Sequence, residues 1–191
     1  MPDRLLTMQE LVDALDDELA PLEPDLTGLR LVAPGDSQSD VDKLQALLGV
    51  EFPPSFASTI MELNLGSLTI GPTVFGYATK YTDLLHDANV EPVVRWWGSG
   101  ERQASLVMFG NSDPFALVVD CTSGEVLALQ HGEGLDRAVV VAADFDLFLR
   151  GVGTVFIARQ AEPASPELGA SIGSLVGSSP EGLSYWTELA G

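Results

Sequence analysis

Hydrophobic residues recur along the chain at two periods. Between Ser105 and His131 they come in short blocks, SLVMFGNSDPFALVVDCTSGEVLALQH, and two groups of turn-forming residues break them. Asn111-Ser112-Asp113-Pro114 makes one turn and Thr122-Ser123-Gly124 the other. The stretch reads as three antiparallel strands in a meander. The second turn fits a three-residue hairpin loop closed by a glycine at positive φ. In that register Cys121 faces Glu125, Val119 faces Leu127 and Leu117 faces Leu129. Phe115, Leu117, Val119 and Cys121 then share one face, because side chains alternate along a strand. Ala116, Val118 and Asp120 share the other, joined by Val126 and Ala128. Both faces are largely apolar, which predicts a central hairpin covered on at least part of both sides. Asp120 lies near the turn and reads as a cap for its backbone N–H groups.

Elsewhere the apolar period is helical. Thr7-Met8-Gln9-Glu10 is a capping box, and Met8, Leu11, Val12, Leu15 and Leu19 follow on one face, so residues 8–20 are expected to form a helix ended by Pro21 and Pro24. Thr27–Ala33 reads as an edge strand or an extended linker. Ser39 is the expected cap of a second helix with Val41, Leu44, Leu47 and Leu48 inward and Gly49 at its end. Phe52-Pro53-Pro54-Ser55-Phe56 is a bend into a third helix, lined by Phe56, Ile60 and Leu63 and stopped by Asn64 and Gly66. Leu68–Ile70 and Val74–Tyr77 are short strands around Gly71-Pro72. Tyr81–Asn89 reads as helix with Leu84 and Leu85 inward. Val90–Trp97, containing Val93, Val94, Trp96 and Trp97, reads as strand or buried turn, and Gly98-Ser99-Gly100 as a loop.

After the meander, Ala138–Ala142 is a further strand. Asp144 caps a helix carrying Phe145, Phe148, Leu149, Val152 and Phe156, in which Gly151 and Gly153 allow close packing against the sheet. Ala161–Ser179 is rich in Pro, Gly, Ser and Ala and reads as a linker with a loose helical turn. Ser179-Pro180-Glu181 starts a last short helix with Leu183, Trp186 and Leu189 on one face. A helix this short needs a dock. Tyr185 and Trp186 are its anchors, onto this domain or onto another chain. Helices, then a run of strands, then helix is an α+β order. The expected architecture is an antiparallel β-meander sheet packed with N-terminal and C-terminal helices, with residues 1–160 as a single domain, 161–179 as linker and 180–191 as the terminal helix.

Charge narrows the function classes. The chain has 191 residues, 46% of them hydrophobic, a formal net charge of −19 and a pI near 4.1. Phosphate binding needs Lys and Arg, so a nucleic-acid partner is not expected, nor an anionic membrane surface. A basic protein suits the charge. Residues 1–51 carry 12 Asp/Glu against 3 Lys/Arg, a net of −9. The one cysteine permits no intramolecular disulfide. The N-terminus lacks a basic and apolar leader pattern. The expectation is a cytoplasmic protein.

Catalytic chemistry is not visible. His86 and His131 belong to no metal-ligand spacing. His131 lies a hairpin's length from Cys121, too far for a nucleophile–base pair. Cys121 reads as a small buried hydrophobe, Asp16-Asp17-Glu18 as a solvated helix face, and Gly98-Ser99-Gly100 lacks the Lys and the spacing of a phosphate loop. No enzyme activity, cofactor or metal is expected. Of the adjacent pair Trp96 and Trp97, one faces outward as a partner anchor if the segment is strand, and both are core if it is a buried turn.

Residues 38–158 resemble the SMI1/KNR4 family, also called the SUKH superfamily. The resemblance rests on Val50–Phe56 leading to Glu62-Leu63-Asn64-Leu65-Gly66, on Met108-Phe109-Gly110 and Phe115–Asp120, on Thr122–Val126, and on Asp144–Leu149. The bend carries Phe-Pro where the family has Leu-Pro, and the acidic residues usual around the first hairpin turn are reduced to Asp113. Many bacterial members look like immunity proteins that bind and block a toxin domain, often a nuclease, and eukaryotic members are regulatory interaction modules. The resemblance implies a non-enzymatic immunity protein that binds a basic toxin domain. The alternative, which rests on the terminal helix outside the resembling residues, is a regulatory scaffold that docks a cellular protein or a second copy, the latter as a homodimer through the C-terminal helix. The expected partner-binding residues are Asp113, Asp120, Glu125, Glu133 and Asp136 near the turns of the meander, with Trp96 or Trp97 as the aromatic anchor.

Overall fold

The computed structural model describes residues 3–77, 79–90, 92–93, 95–161 and 165–191. Its elements run α1 (Met8–Leu19), α2 (Gln38–Leu48), α3 (Pro54–Glu62), β1 (Thr69–Ile70), β2 (Thr73–Val74), α4 (Tyr81–Asn89), β3 (Leu106–Ser112), β4 (Phe115–Asp120), β5 (Val126–Gln130), β6 (Val139–Ala142), α5 (Phe145–Ala161), α6 (Pro166–Leu175) and α7 (Leu183–Ala190). The strands form one antiparallel sheet in chain order, β1-β2-β3-β4-β5-β6. This is the expected α+β meander with helices before and after it.

Local chemistry sets the helix ends. Thr7 Oγ1 accepts from the Glu10 N–H while Glu10 accepts from the Thr7 N–H, which is the capping box read from the sequence. Ser37, not Ser39, caps α2, so that helix begins one turn-fragment earlier, and Gly49 closes it at φ 70°. Leu47 is 58% exposed and leaves the expected stripe. Asn64 Oδ1 accepts from the Gly66 N–H and turns the chain out of α3. Thr27–Ala33 is a bent segment that does not join the sheet, although the Gly28 carbonyl accepts from the Thr69 N–H at the edge of β1.

The hairpin of β4 and β5 departs from the expected register by one residue. Val119 pairs with Val126, Leu117 with Ala128 and Ala116 with Leu129. The Asp120 N–H donates to the Glu125 carbonyl and the Gly124 N–H to the Asp120 carbonyl, so the loop holds Cys121–Gly124. A one-residue slip exchanges faces. Val126 and Ala128 accordingly lie with Leu117 and Val119 in the main core, not with Ala116 and Val118. Gly124 does take positive φ, at 86°.

The main core lies on that face of the sheet. Phe56, Phe109, Phe145 and Phe148 meet at its centre, with Phe145 ring centroids 4.8 Å from Phe56 and 5.0 Å from Phe109. The other face carries a smaller core of Trp96, Trp97, Leu106, Ala116, Val118 and Leu129. Trp96 and Trp97 sit in a turn, while Val94 of that segment lies outside the described residues.

The C-terminal part is more ordered than its composition suggests. Within the expected linker, α6 buries Leu168 and Ile172, and Val176 follows them into the core; residues 162–164 lie outside the description. Trp186 is fully buried and its indole N–H donates to the Val141 carbonyl at 2.7 Å. The anchors Tyr185 and Trp186 thus dock on their own domain. Gly151 gives way to Trp186 and Val176, and Gly153 to Leu11, so these glycines serve helix contacts and not the sheet.

The β6 edge and the stretch of β3 beyond β2 are both covered. On β6 the Val140 carbonyl accepts from the Ser179 N–H. On β3, which β2 pairs only at Asn111 and Ser112, helix α4 stands in for a strand. Asn89 Nδ2 donates to the Met108 carbonyl and Oδ1 accepts from the Met108 N–H, both at 2.8 Å. The Tyr81 hydroxyl donates to the Phe109 carbonyl at 2.6 Å. Unpaired edge groups invite foreign strands, and these side chains remove the invitation.

Candidate functional site

The carboxylates of the meander fall at two ends of the sheet. Asp113 occupies the β3–β4 turn, and Glu133 and Asp136 lie in the β5–β6 connection beside it, where the His131 N–H donates to the Pro114 carbonyl at 2.9 Å. Asp113, Glu133 and Asp136 are all exposed. Asp120 and Glu125 flank the β4–β5 turn at the other end. Five strand steps at roughly 3.4 Å separate the ends by about 17 Å. The five residues therefore do not make one patch. A single protein partner reaches both ends only by spanning the sheet.

Asp120 also has a structural role. Its Oδ1 accepts from the Thr122 N–H at 2.8 Å, which is the turn cap expected from the sequence. Glu125 is half-buried, and its N–H donates to Ser123 Oγ.

The tryptophans are not exposed anchors. Trp96 is 6% and Trp97 8% exposed, and the two rings meet edge to face at 5.4 Å. Their indole N–H groups donate to the Ala88 and Gly100 carbonyls. Two adjacent residues in a turn can both point inward, which a strand forbids. The outer rim of Trp97 does line a shallow, wide depression with Glu101, Glu133 and Asp136. Glu101 was not among the expected site residues. It follows a Gly-Ser-Gly loop whose path no local pattern reports.

The remaining acidic surface is partly paired. Arg30 bridges Asp16 and Glu23 at 2.7 Å each, Arg4 holds Glu10, and Lys80 holds Asp40 at 2.6 Å. Hydrogen bonds from Arg4, then from the Thr7 N–H, hold the Glu10 carboxyl at about 2. The net charge of −19 is borne by carboxylates outside such pairs.

Reactive groups stay apart. Cys121 follows β4 and His131 follows β5, at opposite ends of the hairpin. Burial, and secondarily Asp120, pushes the Cys121 thiol up to about 12. His86 Nδ1 lies 3.0 Å from Asp87 Oδ1 on the surface of α4. Among the described residues no group of three or more His, Cys, Asp or Glu is arranged to hold a metal ion, and no helix is long and apolar enough to cross a membrane.

Three large apolar side chains in the segments before and after α4 remain exposed: Tyr77, Val90 and Val93. The sequence reading placed none of them at a binding surface. The chain matches no protein-family model and no curated protein sequence.

Proposed function

We propose that this chain is a non-enzymatic, cytoplasmic protein-binding domain that engages a basic protein surface, and that it is an immunity protein which binds and neutralises a nuclease-like bacterial toxin. The observation that carries the reading is the group of exposed carboxylates Asp113, Glu133 and Asp136 at one end of the sheet, in a chain of net charge −19. Such a surface attracts a basic partner over a distance of several ångströms and sets its orientation. It also repels nucleic acid, so the domain competes with phosphates for a basic site instead of sharing them. The toxin part of the reading rests on the SMI1/KNR4-like residues. Support comes from the element order: a helix, the bend into α3, a strand pair, a hairpin and a closing aromatic helix follow the order that this resemblance implies.

The alternative is a regulatory module that binds a cellular protein. Its form with a helical tail docking elsewhere loses its anchors, because Tyr185 and Trp186 are buried in their own domain. A regulatory partner would have to use the same acidic surface. Co-expression with the product of an adjacent toxin gene separates the two readings. The expected result is survival with the intact chain and loss of protection when Asp113, Glu133 and Asp136 are together changed to Asn. Survival of cells carrying the triple variant would remove these residues from the interface, and toxicity despite the intact chain would remove the immunity reading.

A further inference from the structure

An apolar groove of about 300 Å³ opens between α4 and the outer edge of β3. Leu84, Leu85, Ala88, Met108 and Phe109 form its walls. At its rim Tyr77 is 70% exposed and Val93 fully so. Val90, the C-cap residue of α4, is 42% exposed. Exposed apolar side chains scattered singly mean little, but here they gather around a preformed apolar concavity, which is the signature of a binding site.

The groove takes side chains and not a strand. The groups of β3 that line it are already satisfied, Met108 by Asn89 and the Phe109 carbonyl by Tyr81. A peptide cannot add to this edge through its backbone, so recognition falls to pockets for side chains.

Charge selects the occupant. Asp87 lines the groove, and among the described residues no Lys, Arg or His lines it. Asp83 lies one turn earlier on α4 and is exposed. Residues four apart share a helix face. The contact of His86 Nδ1 with Asp87 engages one carboxylate oxygen and leaves the other open. A second copy of the chain is a poor occupant, because two bodies of charge −19 repel. We propose that the groove binds an apolar side chain of a basic protein partner, with a flanking Lys or Arg set against Asp83 and Asp87. This deepens the protein-binding reading and rests on it.

The test is selection of displayed random peptides on the full chain, followed by affinity measurement with the synthetic winners. The expected peptides carry Leu, Ile, Met, Phe or Trp next to Lys or Arg. Ala88→Arg sets a cation on a half-buried wall of the groove and should weaken them more than about tenfold, a loss of about 1.4 kcal/mol. Tyr77→Ala should weaken them by about threefold or more. Asp87→Asn should weaken them at low salt and much less at high salt, because exposed charges are screened. Circular dichroism and urea midpoints confirm that each variant folds.

Enrichment of no peptide, of acidic peptides, or of peptides indifferent to Ala88→Arg and Tyr77→Ala overturns the proposal. A concentration-dependent dimer abolished by Ala88→Arg overturns it in favour of a second copy. If a basic partner recovered from cells binds Ala88→Arg as tightly as the original chain, the groove falls while the protein-binding reading stands. Peptides that pass every groove criterion keep the groove even where toxin protection fails.

Discussion

At Gly151 a methyl group has nowhere to go. A Cβ there would lie 2.6 Å from Trp186 Cη2 and 2.9 Å from Val176 Cγ1. The indole cannot retreat without stretching its bond to the Val141 carbonyl. Alanine gains about 1 kcal/mol over glycine in a helix interior, and overpacking costs about 1–3 kcal/mol. Crowding wins, so Gly151→Ala should lower stability by about 1 kcal/mol in urea denaturation. Gly153→Ala should lose less, because its nearest neighbours are the terminal methyls of Leu11, which can turn. A stabilised Gly151→Ala would mean that Trp186 is not held where it is described. Glu10 gives a second residue-scale test. Its folded carboxyl sits at about 2 against an ordinary 4.5. A depressed carboxyl contributes stability above the unfolded value and loses it as pH falls from 4.5 toward 2. Titration by NMR should show this midpoint, and Arg4→Ala should raise it only part of the way, because the Thr7 N–H remains. An unchanged midpoint in Arg4→Ala would refute the Arg4 contact as its main cause.

Among the elements, α4 is the unusual one, since it closes a strand edge with side chains. Replacing Asn89 by Leu keeps the branched outline of the side chain with a bulkier, apolar tip and strands the Met108 N–H and carbonyl. Each buried group left without a partner costs about 1–3 kcal/mol, so Asn89→Leu should cost about 3 kcal/mol, read from the urea midpoint. A loss under about 1 kcal/mol would show that water reaches that edge. The role of Asn89 was not legible in the sequence, because a helix-terminal Asn more often signals a stop than a strand substitute. The extent of α4 was legible, as were the Thr7–Glu10 capping box and the Asp120 turn cap, since each depends on neighbours in the chain. What failed depended on distant packing. The β4–β5 register shifted by one because the Cys121–Gly124 loop is one residue longer than the Thr-Ser-Gly signal suggests. That single step misplaced Val126 and Ala128. Helix α6 was hidden by glycines, two of which, Gly169 and Gly173, lie against α7 and Trp186 too closely for any side chain. They are interface residues, not linker residues.

For the molecule as a whole, the C-terminal helices belong to the domain. Leu168, Ile172, Val176, Tyr185, Trp186 and Leu189 are all buried. Burying a large apolar side chain is worth about 1.5–3 kcal/mol, and a domain's net stability is about 5–15 kcal/mol. Ending the chain at Ala161 should therefore abolish the cooperative unfolding transition. A shortened chain that still melts cooperatively would restore 161–191 as an appendage. The candidate site divided along similar lines. The acidic character was plain in the composition, but its division between the two ends of the sheet, and the burial of Trp96 and Trp97, followed from topology. Under the proposed function the domain binds a basic protein through carboxylates. The most direct measurement is affinity purification of the tagged full chain from its own cells at low and high salt, with the retained protein identified by mass spectrometry. One basic protein should be retained at low salt and released at high salt. Retention of nothing, or of an acidic protein indifferent to salt, would contradict the proposed function.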